Sequence, residues 1–407
     1  MTYTEAPEGV GNEAPLAGIR VVDLTRARAG PTCVRQLADL GADVIAVQSP
    51  DGGGAFSSLG SDGANLHRNK RAVAVDLTTG DGLAVFFRLV EQADVVVENF
   101  RPDVKHRLGI DPDAVWAVNP RVVYASISGF GQTGPYASRP GVDQIAQGLS
   151  GLMSVTGPPG SGPWRVGIAV SDTAAGTVLT QGVLAALIAR GRTGRGQWVH
   201  TSLLESMVSF MDFQAARWLI DGDVPGQAGN QHPTMVPMGT YPTADGHLNV
   251  SSLRDFGAFC ALLGEPELAD DPRYADFASR LEHRYELDAD IARLLQARTT
   301  AEWVAVLADA VPCGPVLSID EVFADPQVQH LHLTRAVEHP TRGQIDVLRP
   351  PLTFSDTPPS IRSGPPADGA HTREVLAELG YSAAEIDDLH AASVVGVATA
   401  PPEEQTT

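Results

Sequence analysis

Asp172 is the carboxylate whose setting most suggests chemistry. It stands in Gly167-Ile-Ala-Val-Ser-Asp-Thr-Ala-Ala-Gly176, at the edge of a long apolar helix and after Gly- and Pro-rich chain. An Asp in that place can simply be an N-cap. It can also be a nucleophile, because the positive end of a helix dipole favours the ionised form that attacks. Asp143, in the loop before it, is either a second acid group or a turn residue. Basic charge is scarce, so its placement is informative. The two lysines of the chain lie in His67-Arg-Asn-Lys-Arg71 and Arg101-Pro-Asp-Val-Lys-His-Arg107. Both clusters adjoin expected strands, where they are either a seat for a phosphate-bearing ligand or solvated surface charge.

Other motifs offer less. Gly129-Phe-Gly-Gln-Thr-Gly134 has the spacing of a dinucleotide fingerprint, but Pro135, Arg139 and Pro140 follow where a helix should open. No nicotinamide or flavin site is expected there. His330 and His332 have no third ligand at metal spacing, and His232 stands alone in a loop. Cys313, in Pro-Cys-Gly-Pro, reads as a packed thiol, and no metal is expected.

The elements that must hold these groups alternate in type. Gly18-Ile-Arg-Val-Val-Asp-Leu reads as a strand, 31–40 as a helix with Pro31 in its first turn, and 42–47 as the next strand. That is a β-α-β unit, which predicts a parallel sheet with right-handed crossovers. Strands are expected at 72–77, 94–98 and 121–128, and helices at 82–92 and 173–190. After Gly222 the composition changes: 223–240 is loop-like, 241–251 reads as one strand and 255–310 as helical. The expected organisation is an N-terminal part of a large domain over 15–222, a small α+β domain over 223–330, and a C-terminal part over 331–390 that returns to the first. Residues 1–14 and 399–407 read as flexible tails.

Composition narrows the classes. The 407 residues include 49 acidic and 29 basic ones, a net charge of −20 that argues against binding nucleic acid or an anionic membrane. No apolar run approaches the roughly 20 residues of a spanning helix, and the acidic N-terminus lacks a signal-peptide core. Three cysteines are too few for a disulfide scaffold. The chain reads as a cytoplasmic enzyme.

Several motifs follow one another along the chain: Ala29-Gly-Pro, Leu40-Gly-Ala-Asp-Val-Ile, Asn69-Lys-Arg, Ala93-Asp-Val-Val-Val-Glu-Asn-Phe-Arg-Pro102, Ser128-Gly-Phe-Gly-Gln-Thr-Gly-Pro135, Thr193-Gly-Arg-Gly-Gln197 and Val311-Pro-Cys-Gly-Pro-Val316. Together they resemble the class III CoA-transferases, the family of formyl-CoA:oxalate and carnitine CoA-transferases, to which α-methylacyl-CoA racemase is related. The likeness runs in order over about residues 15–382. It implies a Rossmann-like large domain built from both chain ends, a small domain between them, and two chains interlocked as a homodimer. It also implies Asp172 as the nucleophile, passing through an aspartyl anhydride and an aspartyl-CoA thioester. Coenzyme A would be a substrate and no cofactor would be tightly bound. Asn99, Phe100 and Arg107 match CoA-contacting positions, with Asn69, Lys70 and Arg71 in the adjoining motif. Arg28, Asp143 and His232 are candidate substrate contacts.

Some positions depart from the family. The racemases carry a His between Gly and Asp where this chain has Gly141-Val-Asp143, and Val142 moves no proton, so transfer is favoured over racemisation. Ala46, Gln48 and Ser49 replace residues that help hold the adenosine end of CoA, which leaves an acyl-CoA-binding protein with little turnover as a third reading. Gly229-Asn-Gln-His-Pro233 is not the glycine run of the formyl enzymes. Arg28 stands where those enzymes have Gln. It would suit a carboxylate substrate, including a dicarboxylate, or else a CoA phosphate or a structural ion pair.

Overall fold

The computed structural model describes residues 14–51, 60–251 and 255–398. Six strands run parallel: β1 (Arg20–Asp23), β2 (Asp43–Gln48), β3 (Lys70–Val75), β4 (Val95–Glu98), β5 (Val123–Ser128) and β6 (Trp198–Ser202). They lie in the order β3-β2-β1-β4-β5-β6, and Val395–Gly396 adds an antiparallel edge beside β3. This is the doubly wound arrangement. The strands are Val- and Ile-rich because both faces are covered. Val21 and Val97 enter one core with Val34 and Leu37 of helix α1 (Ala29–Asp39), while Val22 and Val96 enter the other with Phe86, Leu89 and Leu376. β1 pairs with β2 on one side and β4 on the other, so the strand order reverses there. Sheets of this kind bind ligands outside the carboxyl ends of the strands at such a reversal.

The chain forms two compact units. The first takes the chain up to Gly151, Val166–Ala215 and everything from His332; the second takes Leu152–Arg165 and Ala216–Leu331. The second unit holds a three-stranded antiparallel sheet, Gly239–Pro242, His247–Val250 and Cys313–Pro315, over a core around Trp303, Phe259 and Ile291.

Two sequence expectations change. The single strand expected at 241–251 is a hairpin, closed where the Thr243 amide donates to the Gly246 carbonyl at 2.9 Å. The helix Val170–Thr193 runs 24 residues, with a mean hydropathy of 1.3 in its most apolar stretch, so among the described residues one helix is long and apolar enough to cross a membrane. Interspersed Thr, Gly and Gln hide that length in the sequence. In the fold it is a core helix: Ala175, Leu179, Val183 and Ala186 pack with α1 and the sheet.

Candidate active site

Asp172 is the third residue of the Val170–Thr193 helix, which Ala169 caps without a side-chain bond. Its direction follows from helical spacing, since Asp172, Gly176 and Thr180 share a face at four-residue intervals. That face meets α1. The Thr180 hydroxyl donates to the Gly176 carbonyl at 2.9 Å and lies 3.4 Å from the Cys33 carbonyl, and the Gln36 amide reaches Thr177 at 3.2 Å. Gly176 allows the approach: a Cβ there would stand 2.6 Å from the Ala29 carbonyl oxygen and 2.8 Å from the Thr32 Cβ. The contact places Asp172 within electrostatic reach of Arg28, the residue that precedes α1.

Asp143 fixes the helix from the other side. Its Oδ1 accepts from the Ser171 amide at 3.0 Å and the Ser171 hydroxyl at 2.9 Å, while its Oδ2 accepts from Gln147 at 2.8 Å. Ser171 is fully buried. Asp143 is therefore built into the support of the helix that carries Asp172, and it also brings a second negative charge close to Asp172.

The helix terminus favours the ionised form of Asp172, and burial opposes it. Burial, then the nearby Asp143, raise its pKa from 3.8 to about 6, with Arg28 opposing and Asp62 adding. Desolvation outweighs the helix dipole here. At neutral pH the carboxylate is still mostly ionised, yet it is a stronger base and nucleophile than a solvated Asp. Arg28 Nη2 donates to Asp62 Oδ2 at 2.5 Å, so its charge is shared between that carboxylate and the site.

The other sequence-selected residues fall into distinct places. Neither lysine is surface charge or free for a phosphate. Lys70 is buried against Asp23 at 3.0 Å, with His67 Nδ1 at 3.3 Å. Lys105 is buried against Glu98 at 3.1 Å, donates to Gln132 at 2.5 Å and lies 5.4 Å from the Trp198 ring centre. Asn69 has a left-handed backbone, donates to Asp39 and the Ser360 carbonyl, and accepts from the Arg362 and Ser363 amides. Arg71 bridges Asp43, Glu374 and Glu378 at 2.6–3.0 Å.

Asn99 and Phe100 lie at the reversal point itself. The Asn99 side chain clasps the Arg26 backbone in both directions, at 2.8 and 2.7 Å, and Arg26 lies over the Phe100 ring. Arg107 is 67% exposed and only loosely paired with Asp103 at 3.6 Å, so its guanidinium can turn to a ligand. Gln48 faces inward, donating to Asp368 and accepting from the Gly369 amide. His232 belongs to the second unit, where its Nδ1 accepts from the Thr234 amide at 3.2 Å. The Gly129–Gly134 stretch opens no helix; the next one starts at Asp143.

Sequence reasoning missed Arg35. It lies within α1, seven residues after Arg28, which precedes that helix, and this spacing was the available signal. Its Nε is buried without a hydrogen-bond partner.

Fold and site together place the chain in a known class. The model of CoA-transferase family III matches residues 16–372, and the chain belongs to that family, whose members act on CoA thioesters. Among curated relatives it is 40% identical to a succinate–glutarate CoA-transferase of Agrobacterium fabrum, over 90% of this chain and 96% of that one. It is 34% identical to the human succinyl-CoA:glutarate CoA-transferase, over 97% and 93% of the two chains. Among solved structures, a CAIB/BAIF family protein from Brucella suis superposes with a TM-score of 0.82 at 35% identity, covering 90% of this chain and all of the other.

Proposed function

We propose that this protein moves coenzyme A from succinyl-CoA to a second dicarboxylic acid of similar length, such as glutarate, with Asp172 as the covalent carrier. The observation that carries this reading is the setting of Asp172: a carboxylate shifted to about 6 by burial and Asp143, at a helix start packed on the residues that present Arg28. Two relatives named for succinate or succinyl-CoA and glutarate supply the substrate class.

The Asp172 carboxylate attacks the thioester carbonyl and expels CoA thiolate, leaving a mixed anhydride. The thiolate then attacks the aspartyl carbonyl of that anhydride. The donor acid departs as a carboxylate, and CoA stays on Asp172 as a thioester. The acceptor carboxylate attacks that thioester and again releases the thiolate, which takes the acceptor's acyl group and frees Asp172. Each step exchanges one acyl bond for another, which is what covalent catalysis contributes. Asn99, Phe100 and Arg107, at or just after the end of β4, hold the CoA; Asn69, Lys70 and Arg71 shape its seat through the contacts described above. Asp143 acts on the reaction by positioning Asp172.

The same reading takes the protein as a homodimer. Ile145, Leu149, Ile188, Val208 and Phe210 lie exposed on three mutually packed helices of the first unit, an apolar surface that a second copy would cover.

The test is mass spectrometry in D₂O, with succinyl-CoA, a 2-methylacyl-CoA and a panel of acids. New thioesters of the added diacids are expected, with none formed by Asp172→Ala. Deuterium at an α-carbon without new thioesters would replace transfer by racemisation.

A further inference from the structure

Arg26 is exposed, and among the described residues it forms no ion pair. Its backbone is nevertheless held: Asn99 Oδ1 accepts from the Arg26 amide at 2.8 Å, and Asn99 Nδ2 donates to the Arg26 carbonyl at 2.7 Å. The next residue, Ala27, has a φ of 60°, a left-handed conformation that costs a residue with a Cβ and recurs at functional sites. That turn separates two arginines, since Arg28 beyond it goes to Asp62 while the Arg26 guanidinium lies 5.8 Å from the centre of the Phe100 ring. A long side chain is thus steered towards β4 before any ligand arrives, which lowers the entropy lost on binding.

Its place is the reversal of the sheet order. β1 ends at Asp23 and β4 at Glu98, so Arg26 and Phe100 stand just beyond the two carboxyl ends. The carboxylates at those ends do not neutralise Arg26, because Asp23 is buried against Lys70 and Glu98 against Lys105. More positive charge follows Phe100: Arg101 is exposed, and Arg107 is only loosely paired with Asp103. The end of β2 is the opposite. Ala46 and Gln48 are buried, Gln48 is committed to Asp368 and Gly369, and no cation stands between Ala46 and Asp51. In a chain of net charge −20, the unpaired cations of this sheet edge are therefore on the β1 and β4 sides.

We propose that Arg26 binds a phosphate of coenzyme A, supplying from the end of β1 the countercharge that the end of β2 lacks, an assignment that rests on the transfer reading above. A guanidinium grips a phosphate with two parallel hydrogen bonds, and an aromatic ring beneath it steadies the cation while its N–H edge stays free. The diphosphate and the 3′-phosphate offer it the same chemistry, and the choice of ligands separates them.

Arg26→Gln keeps a polar side chain beside Phe100 and removes the charge. Calorimetry compares it with the wild-type chain for CoA, 3′-dephospho-CoA and pantetheine. The expected result is a Kd for CoA raised about 10- to 100-fold, with Arg26→Lys in between and pantetheine, which has no phosphate, bound alike by all. Salt should weaken CoA binding less in Arg26→Gln than in the wild-type chain. A loss that persists with 3′-dephospho-CoA assigns Arg26 to the diphosphate, and one that disappears assigns it to the 3′-phosphate; either supports the proposal. Unchanged CoA affinity would overturn it. So would an equal loss for pantetheine, which would make Arg26 a structural support of the Asn99–Phe100 turn. The side chain is exposed, so the unliganded variants should melt with the wild-type chain. If the wild-type chain binds CoA but transfers nothing, the transfer reading fails and the assignment of Arg26 stands.

Discussion

Asp172 illustrates how burial rather than residue type sets reactivity. Turnover that needs its ionised form should rise with pH along a single-proton limb with a midpoint about 6, and a kcat/KM profile from pH 4.5 to 8 checks this. The same shift has a thermodynamic side. The folded chain holds this proton more tightly than the unfolded one, so stability falls as pH rises from 3.8 to about 6. Asp172→Asn removes that loss. Urea unfolding should show its advantage over the wild-type chain growing through this window to about 2 kcal/mol at pH 7. The place of Asp172 at a helix start was legible in the sequence. Its pKa was not, because the desolvation and the Asp143 charge come from residues brought in by the fold.

At the scale of elements, the contact between α1 and the Val170–Thr193 helix turns on one glycine. Gly176→Ala puts a methyl group against the Ala29 carbonyl and Thr32, which should cost about 1–3 kcal/mol and lower turnover by shifting Asp172 from Arg28. Thermal unfolding and kcat on the same sample separate the two effects. The Glu98–Lys105 pair ties the end of β4 to the helix Pro102–Leu108 and, through Gln132, to the Gly129–Gly134 loop. Lys105→Met alone leaves a buried carboxylate and should cost about 3–5 kcal/mol, with much of that returned when Glu98→Gln is added. A double-mutant cycle measures this. The parallel strands were legible as Val- and Ile-rich runs bounded by Gly. The hairpin at 239–250 was not, although Asp245-Gly246 is a turn signal within it. The long helix starts three residues before the expected Thr173, because Ser171 is secured by Asp143, a partner 28 residues away.

At the scale of the whole molecule, light scattering after gel filtration should give twice the chain mass. Phe210→Asp, on the exposed apolar face, should shift that mass towards one chain. A parallel sheet with right-handed crossovers could be anticipated from the alternating strands and helices, but not its order, which includes β6 and the antiparallel Val395–Gly396 edge. Nor could the assignment of Leu152–Arg165 to the second unit. Those residues sit in Gly/Pro-rich chain with no periodicity to read, and only contacts distant in sequence show where they belong.

The placement of the two lysines bears on how the folded chain withstands its own chemistry. Lys70 and Lys105 are the full complement of side-chain amines, and neither exposes any of its side chain to water. Acyl thioesters such as those this family acts on can acylate free amines without a catalyst. This protein can therefore work among such electrophiles with no side-chain amine open to adventitious modification. Only on unfolding do those nitrogens become targets, so a lysine-directed acylating reagent would mark denatured molecules and pass over native ones.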